Sequence, residues 1–191
     1  MKSVMISIKP KWCELIASGK KTLEVRRTRP KLDAPFRCYI YCTAESYRGK
    51  YLHTSNKSGQ LLMWQNPNDC NIMDEPYNYC YSAYTCRGKV IGEFVCDKID
   101  YIPVPYPATI DQFDHGILKQ AQMTYMDLYS YAGYGVVFTW HISGLKIYDK
   151  PMALSKFVKP RSCENSGPRR RAVTCAPQSW CYVESLQEET E

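Results

Sequence analysis

The amino-acid sequence predicts a single mixed α+β domain in which strands dominate, with two short helices and a long insertion. Four stretches predict strands because they alternate apolar with polar residues or are rich in aromatic and β-branched ones. They lie at 5–8, 36–42, 89–102 and 136–148. The chain has 191 residues, 45% of them hydrophobic, so it is long enough to bury a core of its own.

The first helix is predicted over 10–18, directly after the first strand. Pro10 suits the first helical turn, where its missing N–H costs nothing, and Gly19 suits the position just past the helix end. Three apolar side chains share one face of this helix, which favours core placement for them: Trp12, Leu15 and Ile16.

A strand follows at 21–26, where apolar residues alternate with Glu24 and Arg26. Residues two apart on a strand face the same way, so these two side chains are expected side by side, about 7 Å apart along the backbone. The same alternation places Lys21 on the opposite face. Lys21 therefore joins them only if the backbone after Gly19 departs from a regular strand.

The middle of the chain combines an irregular stretch with clear local signals. Residues 45–87 lack periodicity and carry clusters of Asn, Asp, Ser and Pro, which predicts a long insertion. In the strand that follows, Gly92 predicts a bulge. Thr124 and Asp127 form a capping-box pattern, so a short helix is predicted to begin there and reach Tyr131.

The C-terminal part differs in composition from the rest. Residues 159–172 are basic and contain Pro and Gly, which predicts a surface loop. Residues 177–183 are aromatic, so we expect this segment to pack against the domain. We therefore divide the chain into a domain at 1–157 and a C-terminal extension at 158–191 that packs back in part.

Positive charge is concentrated at the N-terminal end. The net charge is +6, and residues 1–50 hold 12 Lys and Arg against 4 Asp and Glu. A basic surface raises the local concentration of polyanions, so nucleic acid is a natural partner. The alternative is an ordinary solvated basic face.

The sequence has no signal-peptide pattern and no run of membrane-spanning length, which favours a cytoplasmic protein and no membrane partner. The ten cysteines are then expected to be free and mostly buried. The tail cysteines, Cys163, Cys175 and Cys181, have no compact metal-binding spacing, and no cofactor-binding glycine motif is visible. We expect neither a metal nor a cofactor.

One segment carries a family resemblance. Residues 19–26 match the pattern G-x-K-x-x-E-x-R at Gly19, Lys21, Glu24 and Arg26. This pattern resembles the signature of the ASCH family, named for activating-signal-cointegrator homology. Two further segments, at 7–12 and 140–148, are similar to ASCH proteins encoded by bacteria and their prophages.

The resemblance covers most of 1–157, and it implies a PUA-like β-barrel with the signature at the rim of a cleft. It also implies binding of RNA or of a modified nucleoside or nucleotide. Arg26 can donate two parallel hydrogen bonds to a phosphate or a base edge, and Glu24 can accept a hydrogen bond from an exocyclic amine. The predicted ligand contacts are Lys9, Trp12, Lys21, Glu24 and Arg26. The alternative for the charged pair is a structural surface ion pair.

Some ASCH proteins are amidohydrolases acting on N4-acetylcytidine, and others are ribonucleases, so the resemblance leaves a small hydrolase as the alternative function. Its amidohydrolase triad is a Lys, a Thr and a Glu. Lys21 matches the Lys, whereas Glu24 stands at the Thr position and Ala121 at the Glu position. A carboxylate cannot replace a hydroxyl nucleophile without a change of mechanism, so covalent catalysis at this position is not supported. A modified chemistry stays open, with Glu24 as general base and Lys21 or Arg26 as oxyanion stabiliser, as does phosphoester cleavage in a cationic cleft with Glu24.

A third hypothesis is an interaction protein. Its contact surface for a protein partner would be the insertion at about 45–87.

Overall fold

The computed structural model describes residues 2–43, 88–105, 113–160 and 171–186, together with the backbone of two short strands at 51–54 and 61–64. The strands are β1 (Lys2–Ile8), β2 (Leu23–Arg26), β3 (Phe36–Cys42), β4 (Tyr51–Thr54), β5 (Leu61–Trp64), β6 (Lys89–Val104), β7 (Gly135–Met152), β8 (Val158–Lys159), β9 (Arg171–Ala172) and β10 (Trp180–Glu184). The helices are α1 (Pro10–Ala17), α2 (His115–Ala121) and α3 (Tyr125–Ala132), with a 3-10 turn at Leu154–Lys156.

Six strands form the main sheet, in the order β10-β1-β3-β6-β7-β2. Strands β1 and β3 are parallel, and the other neighbours are antiparallel. Two small antiparallel pairs, β4 with β5 and β8 with β9, lie outside this sheet. The predicted mixed α+β class is confirmed.

The closed barrel implied by the resemblance is not seen, because β2 and β10, the two edges of the sheet, do not pair in the described part of the chain. β2 has only four residues, too few for a long ladder on both sides. Side chains join the two edges instead. Trp180 Nε1 donates to Thr28 Oγ1 at 3.0 Å, and Arg26 Nη1 donates to Ser179 Oγ at 3.4 Å.

Strand β1 lies between β10 and β3 in the sheet, and its alternating side chains enter two cores. Val4 and Ile6 pack in one cluster that includes Trp140, whereas Met5 packs in another with Phe157. A parallel strand covered on both faces is expected to read as a continuous apolar run, as this one does.

A third cluster holds the helices against β2. Leu23 and Val25 pack there with Leu118 of α2 and Leu128 of α3. These apolar residues take one face of β2, which leaves the other face for the charged residues of the same strand.

Several local predictions are confirmed. Gly19 follows α1 with φ +72°, and Thr124 forms the capping box with Asp127 at the start of α3. The pairing of β6 with β7 shifts between Val90 and Gly92, which is the predicted bulge. α2 was not predicted, and β6 and β7 are longer than the sequence indicated.

Some predictions lie largely outside the described residues. Of the insertion at 45–87, the structure describes only the backbone of β4 and β5, which form a hairpin-like antiparallel pair. In the tail, β10 pairs with β1, while the division of the chain at residue 157 stays a prediction. Within the described ranges, no helix has the length and apolar character needed to cross a membrane.

Candidate functional site

A cavity of about 320 Å³ lies where the end of β1, the start of α1, β2 and the segment before β10 meet. The structure brings all five sequence-predicted ligand contacts to its lining: Lys9, Trp12, Lys21, Glu24 and Arg26. Whether these residues bind a ligand stays a prediction, but their common location makes this cavity the candidate site.

Three of these residues form a buried charged cluster. Glu24 Oε1 lies 2.9 Å from Arg26 Nη2, and Glu24 Oε2 lies 3.5 Å from Lys21 Nζ. The exposed fractions are 2% for Lys21, 5% for Glu24 and 8% for Arg26. The pair is therefore not the surface ion pair of the alternative interpretation.

Each of the two cations also donates a hydrogen bond to a backbone oxygen. Lys21 Nζ donates to the Ala121 carbonyl at 2.7 Å, and Arg26 Nη2 donates to the Ser7 carbonyl at 2.6 Å. Arg26 Nε has no partner in the described part of the chain. The cluster thus ties β2 to both α2 and β1.

Lys21 reaches Glu24 because it lies before the regular strand. After the left-handed Gly19, the Lys21 amide donates to the Leu15 carbonyl at 2.9 Å, and the strand begins only at Leu23. The Thr22 amide donates to Gln120 of α2 at 3.0 Å. The backbone departure on which the prediction depended is therefore present.

The cluster contains two cationic groups and one carboxylate. Burial lowers the pKa of Lys21 below its ordinary value, because desolvation disfavours the ammonium form, and the Glu24 carboxylate opposes this effect. The Lys21 ammonium also lies 5.0 Å from the centre of the Trp12 ring. With all three groups ionised, the cluster has an excess of one positive charge in a low-dielectric environment.

Lys9 and Trp12 are more accessible to solvent than the charged cluster. Lys9 is exposed and precedes α1, and Trp12 is half-buried. Trp12 packs against the core as its helical spacing predicts, and it also lines the cavity. The two interpretations of Trp12, core and ligand contact, are therefore compatible.

The sequence reasoning missed several lining residues. Ser7, Thr43 and Tyr131 come from the ends of β1, β3 and α3, and 177–179 come from the tail. Arg27 Nε donates to the Tyr131 carbonyl at 2.6 Å and its guanidinium lies 5.0 Å from the Tyr131 ring centre. Of these lining residues, only those at 177–179 were indicated by the sequence, whose aromatic tail segment predicts packing against the domain.

The geometry also bears on the catalytic alternative. Thr22, the hydroxyl nearest to the signature's carboxylate in sequence, is exposed and does not line the cavity. Ala121 contacts Lys21 through its backbone oxygen, so in the described residues the carboxylate beside Lys21 comes from Glu24. The described residues contain no cluster of metal-ligating side chains, and Cys163 lies outside them.

The fold and this cavity define a strand-rich α+β domain with a buried cationic site, and comparisons with solved structures identify the fold. The crystal structure of ASCH from Zymomonas mobilis matches with a TM-score of 0.52 at 19% identity, covering 98% of this chain and 89% of that chain. A point mutant of the Zymomonas mobilis protein matches with a TM-score of 0.51 at 19% identity, covering 99% and 93%.

The chain therefore has the fold of an ASCH domain, and the predicted resemblance is confirmed at the level of the fold. No protein-family model matches the sequence. No curated protein matches it either.

Proposed function

We propose that this protein binds RNA or a nucleotide-like ligand in the cavity described above. The observation that carries the proposal is the buried Lys21–Glu24–Arg26 cluster, with its excess positive charge, on the cavity lining beside Trp12. The ASCH fold of the solved structures is the second support, because RNA binding is the role that the family resemblance implies.

Each residue has a physical role in this proposal. The excess positive charge of the buried cluster gives the cavity lining a positive potential, and this potential attracts a phosphate. Lys9 supplies an exposed ammonium at the rim for a second phosphate contact. Trp12 offers a ring on which a base can stack, an interaction that tolerates any base.

We also propose the domain bounds, the subgroup and the cellular compartment that the sequence predicts. Residues 1–157 form the binding domain, the chain belongs with bacterial or prophage ASCH proteins, and it works in the cytoplasm. All six described cysteines are free thiols, four of them buried, which supports a reducing compartment.

Binding of a fluorescently labelled RNA, measured by anisotropy over a series of salt concentrations, tests the proposal. Affinity should fall steeply with salt, because phosphate contacts release counterions. Lys9→Ala should weaken binding and reduce the slope of log binding constant against log salt concentration by about one. Arg26→Ala should weaken the binding further. Lys2→Ala is the matched control, since Lys2 is exposed and does not line the cavity.

Equal affinity of the wild type, Lys9→Ala and Arg26→Ala at every salt concentration would rule out binding at this cavity. Circular dichroism of Arg26→Ala shows whether that variant is folded. Because Lys9 is exposed, Lys9→Ala keeps the test decisive even if Arg26→Ala does not fold.

A further inference from the structure

The segment that follows β2 carries a concentrated positive charge. This basic segment, residues 27–31, contains Arg27, Arg29 and Lys31 and no acidic residue. All three cationic side chains are exposed, whereas the next residue, Leu32, packs against the core. The segment thus follows the protein surface closely and presents its charges to solvent.

The basic segment lies beside the candidate cavity, because hydrogen bonds join it to two parts of the cavity lining. Arg27 Nε donates to the carbonyl of Tyr131, a lining residue, at 2.6 Å. Thr28 Oγ1 accepts from Trp180 Nε1 at 3.0 Å. Trp180 directly follows 177–179, the cavity wall that the tail forms. The segment is therefore a continuation of the cavity's rim.

The backbone of the basic segment is also held at its far end, but its charged groups are not. The Lys31 amide donates to the Tyr182 hydroxyl of β10 at 2.7 Å. The Arg29 guanidinium and the Lys31 ammonium form no ion pair in the part of the chain that the structure describes. A backbone that is already fixed lowers the ordering cost of binding an anion at these two groups.

These two cations are close enough to the cavity to contact the same nucleic-acid strand. Arg26 lines the cavity and Arg29 follows it by three positions, so their Cα atoms are at most about 11 Å apart. Consecutive nucleotides of a helical strand are about 3.4 Å apart along the axis. A strand with one phosphate in the cavity therefore covers this distance with roughly three more nucleotides.

We infer that the basic segment binds the phosphate backbone of a strand that extends out of the cavity, an inference that rests on the proposed function. The ligand class is thus an RNA strand of several nucleotides, and not a free nucleoside or mononucleotide.

Charge and volume both favour a strand over a mononucleotide. A mononucleotide has one phosphate, for which the buried cluster and Lys9 suffice, whereas the further exposed cations of the basic segment suit a polymer with repeated phosphates. The cavity's volume of about 320 Å³ is at the lower end of the range of about 300–1,000 Å³ for ligand sites. The other nucleotides of a strand must then lie outside the cavity.

Isothermal titration calorimetry with adenosine and uridine monophosphates, and with the matching octanucleotides, tests the inference. The wild type should bind each octanucleotide about tenfold more tightly than its monophosphate, because it contacts more phosphates. The double variant Arg29→Ala/Lys31→Ala should lose most of this gain. Its slope of log binding constant against log salt concentration should fall by roughly one for each lost contact. Its affinity for the monophosphates should not change, since neither residue lines the cavity.

Three further variants serve as controls. Lys146→Ala/Lys150→Ala removes the same net charge from exposed positions of β7, beyond the part that pairs with β2, and should keep the octanucleotide gain. Arg29→Lys/Lys31→Arg retains the charges and should keep the gain as well. Lys9→Ala removes a contact at the cavity itself and should weaken both kinds of ligand.

The outcomes separate the two proposals. The inference fails, and the proposed function stands, if octanucleotides bind no more tightly than monophosphates or if Arg29→Ala/Lys31→Ala keeps the gain. It fails in the same way if that variant weakens the monophosphates equally, or if Lys146→Ala/Lys150→Ala loses the same gain. A monophosphate too weak to measure beside a bound octanucleotide counts as the expected gain. If the wild type binds neither kind of ligand, the proposed function fails, and the inference fails with it.

Discussion

Glu24 and Arg26 lie two residues apart on β2 and join their side chains at 2.9 Å inside the protein, at exposed fractions of 5% and 8%. Lys21 contacts the other oxygen of the same carboxylate at 3.5 Å. One carboxylate thus compensates two cations. Transfer of such a cluster from water costs desolvation energy, so the cluster is weak evidence for a stabilising role, and its place on a cavity lining supports the proposed ligand binding.

Replacing Glu24 should destabilise the fold strongly. Glu24→Ala leaves Lys21 and Arg26 buried without their carboxylate, which is expected to lower the free energy of unfolding by about 3–5 kcal/mol. Urea denaturation measures this change. Lys98→Ala is the control, because Lys98 pairs with Asp100 at 2.8 Å but is 63% exposed, and such a pair contributes about 1 kcal/mol or less. Similar losses for both variants would contradict the description of the cluster as buried.

Removing Lys21 should cost less than removing Glu24. In Lys21→Met the carboxylate keeps Arg26 as its partner, and the apolar side chain needs no desolvation. The Ala121 carbonyl loses its donor, which costs about 1–3 kcal/mol. Denaturation of the two variants under identical conditions gives the order, and a larger loss for Lys21→Met would show that Lys21 is the main partner of Glu24.

The stability of the wild type should depend on pH through Lys21. Burial lowers the pKa of Lys21 in the folded protein, so between that value and the unfolded value of about 10.4 the unfolded chain binds more protons. Stability then rises with pH across this window, and below it the full cost of the buried ammonium is present.

The comparison with Lys21→Met isolates this effect, since other titrating groups are common to both proteins. The difference in free energy of unfolding, wild type minus Lys21→Met, should increase as the pH rises towards the unfolded pKa of about 10.4. A difference that stays constant over this range would show that the pKa of Lys21 is not lowered by burial.

The sequence predicted those parts of the fold and of the site that depend on near neighbours in the chain. The stop of α1 at Gly19, the capping box at Thr124 and the shared face of Glu24 and Arg26 follow from local patterns. The cavity wall does not, because the Ser7–Ser179 contact joins positions far apart in the chain. Among the described residues, the absence of direct pairing between β2 and β10 is likewise a property of long-range register.

Gly19 should be required for the position of Lys21. Its φ of +72° lies in the left-handed region, and a Cβ there would meet nothing within 4 Å, so the cost of Gly19→Ala is conformational. We expect a loss of about 1–2 kcal/mol in the free energy of unfolding, and weaker RNA binding because Lys21 follows two residues later. Gly19→Asn should cost less, since asparagine tolerates this region.

Gly135→Ala is the matched control for this substitution. Gly135 has no left-handed φ, and its added Cβ would meet only the Ala132 carbonyl, at an ordinary 3.5 Å. Its stability should change by about 0.5 kcal/mol or less. Denaturation and anisotropy applied to all three variants separate backbone strain from added volume. If Gly19→Ala behaves like Gly135→Ala in both measurements, the left-handed turn does not place Lys21 beside Glu24.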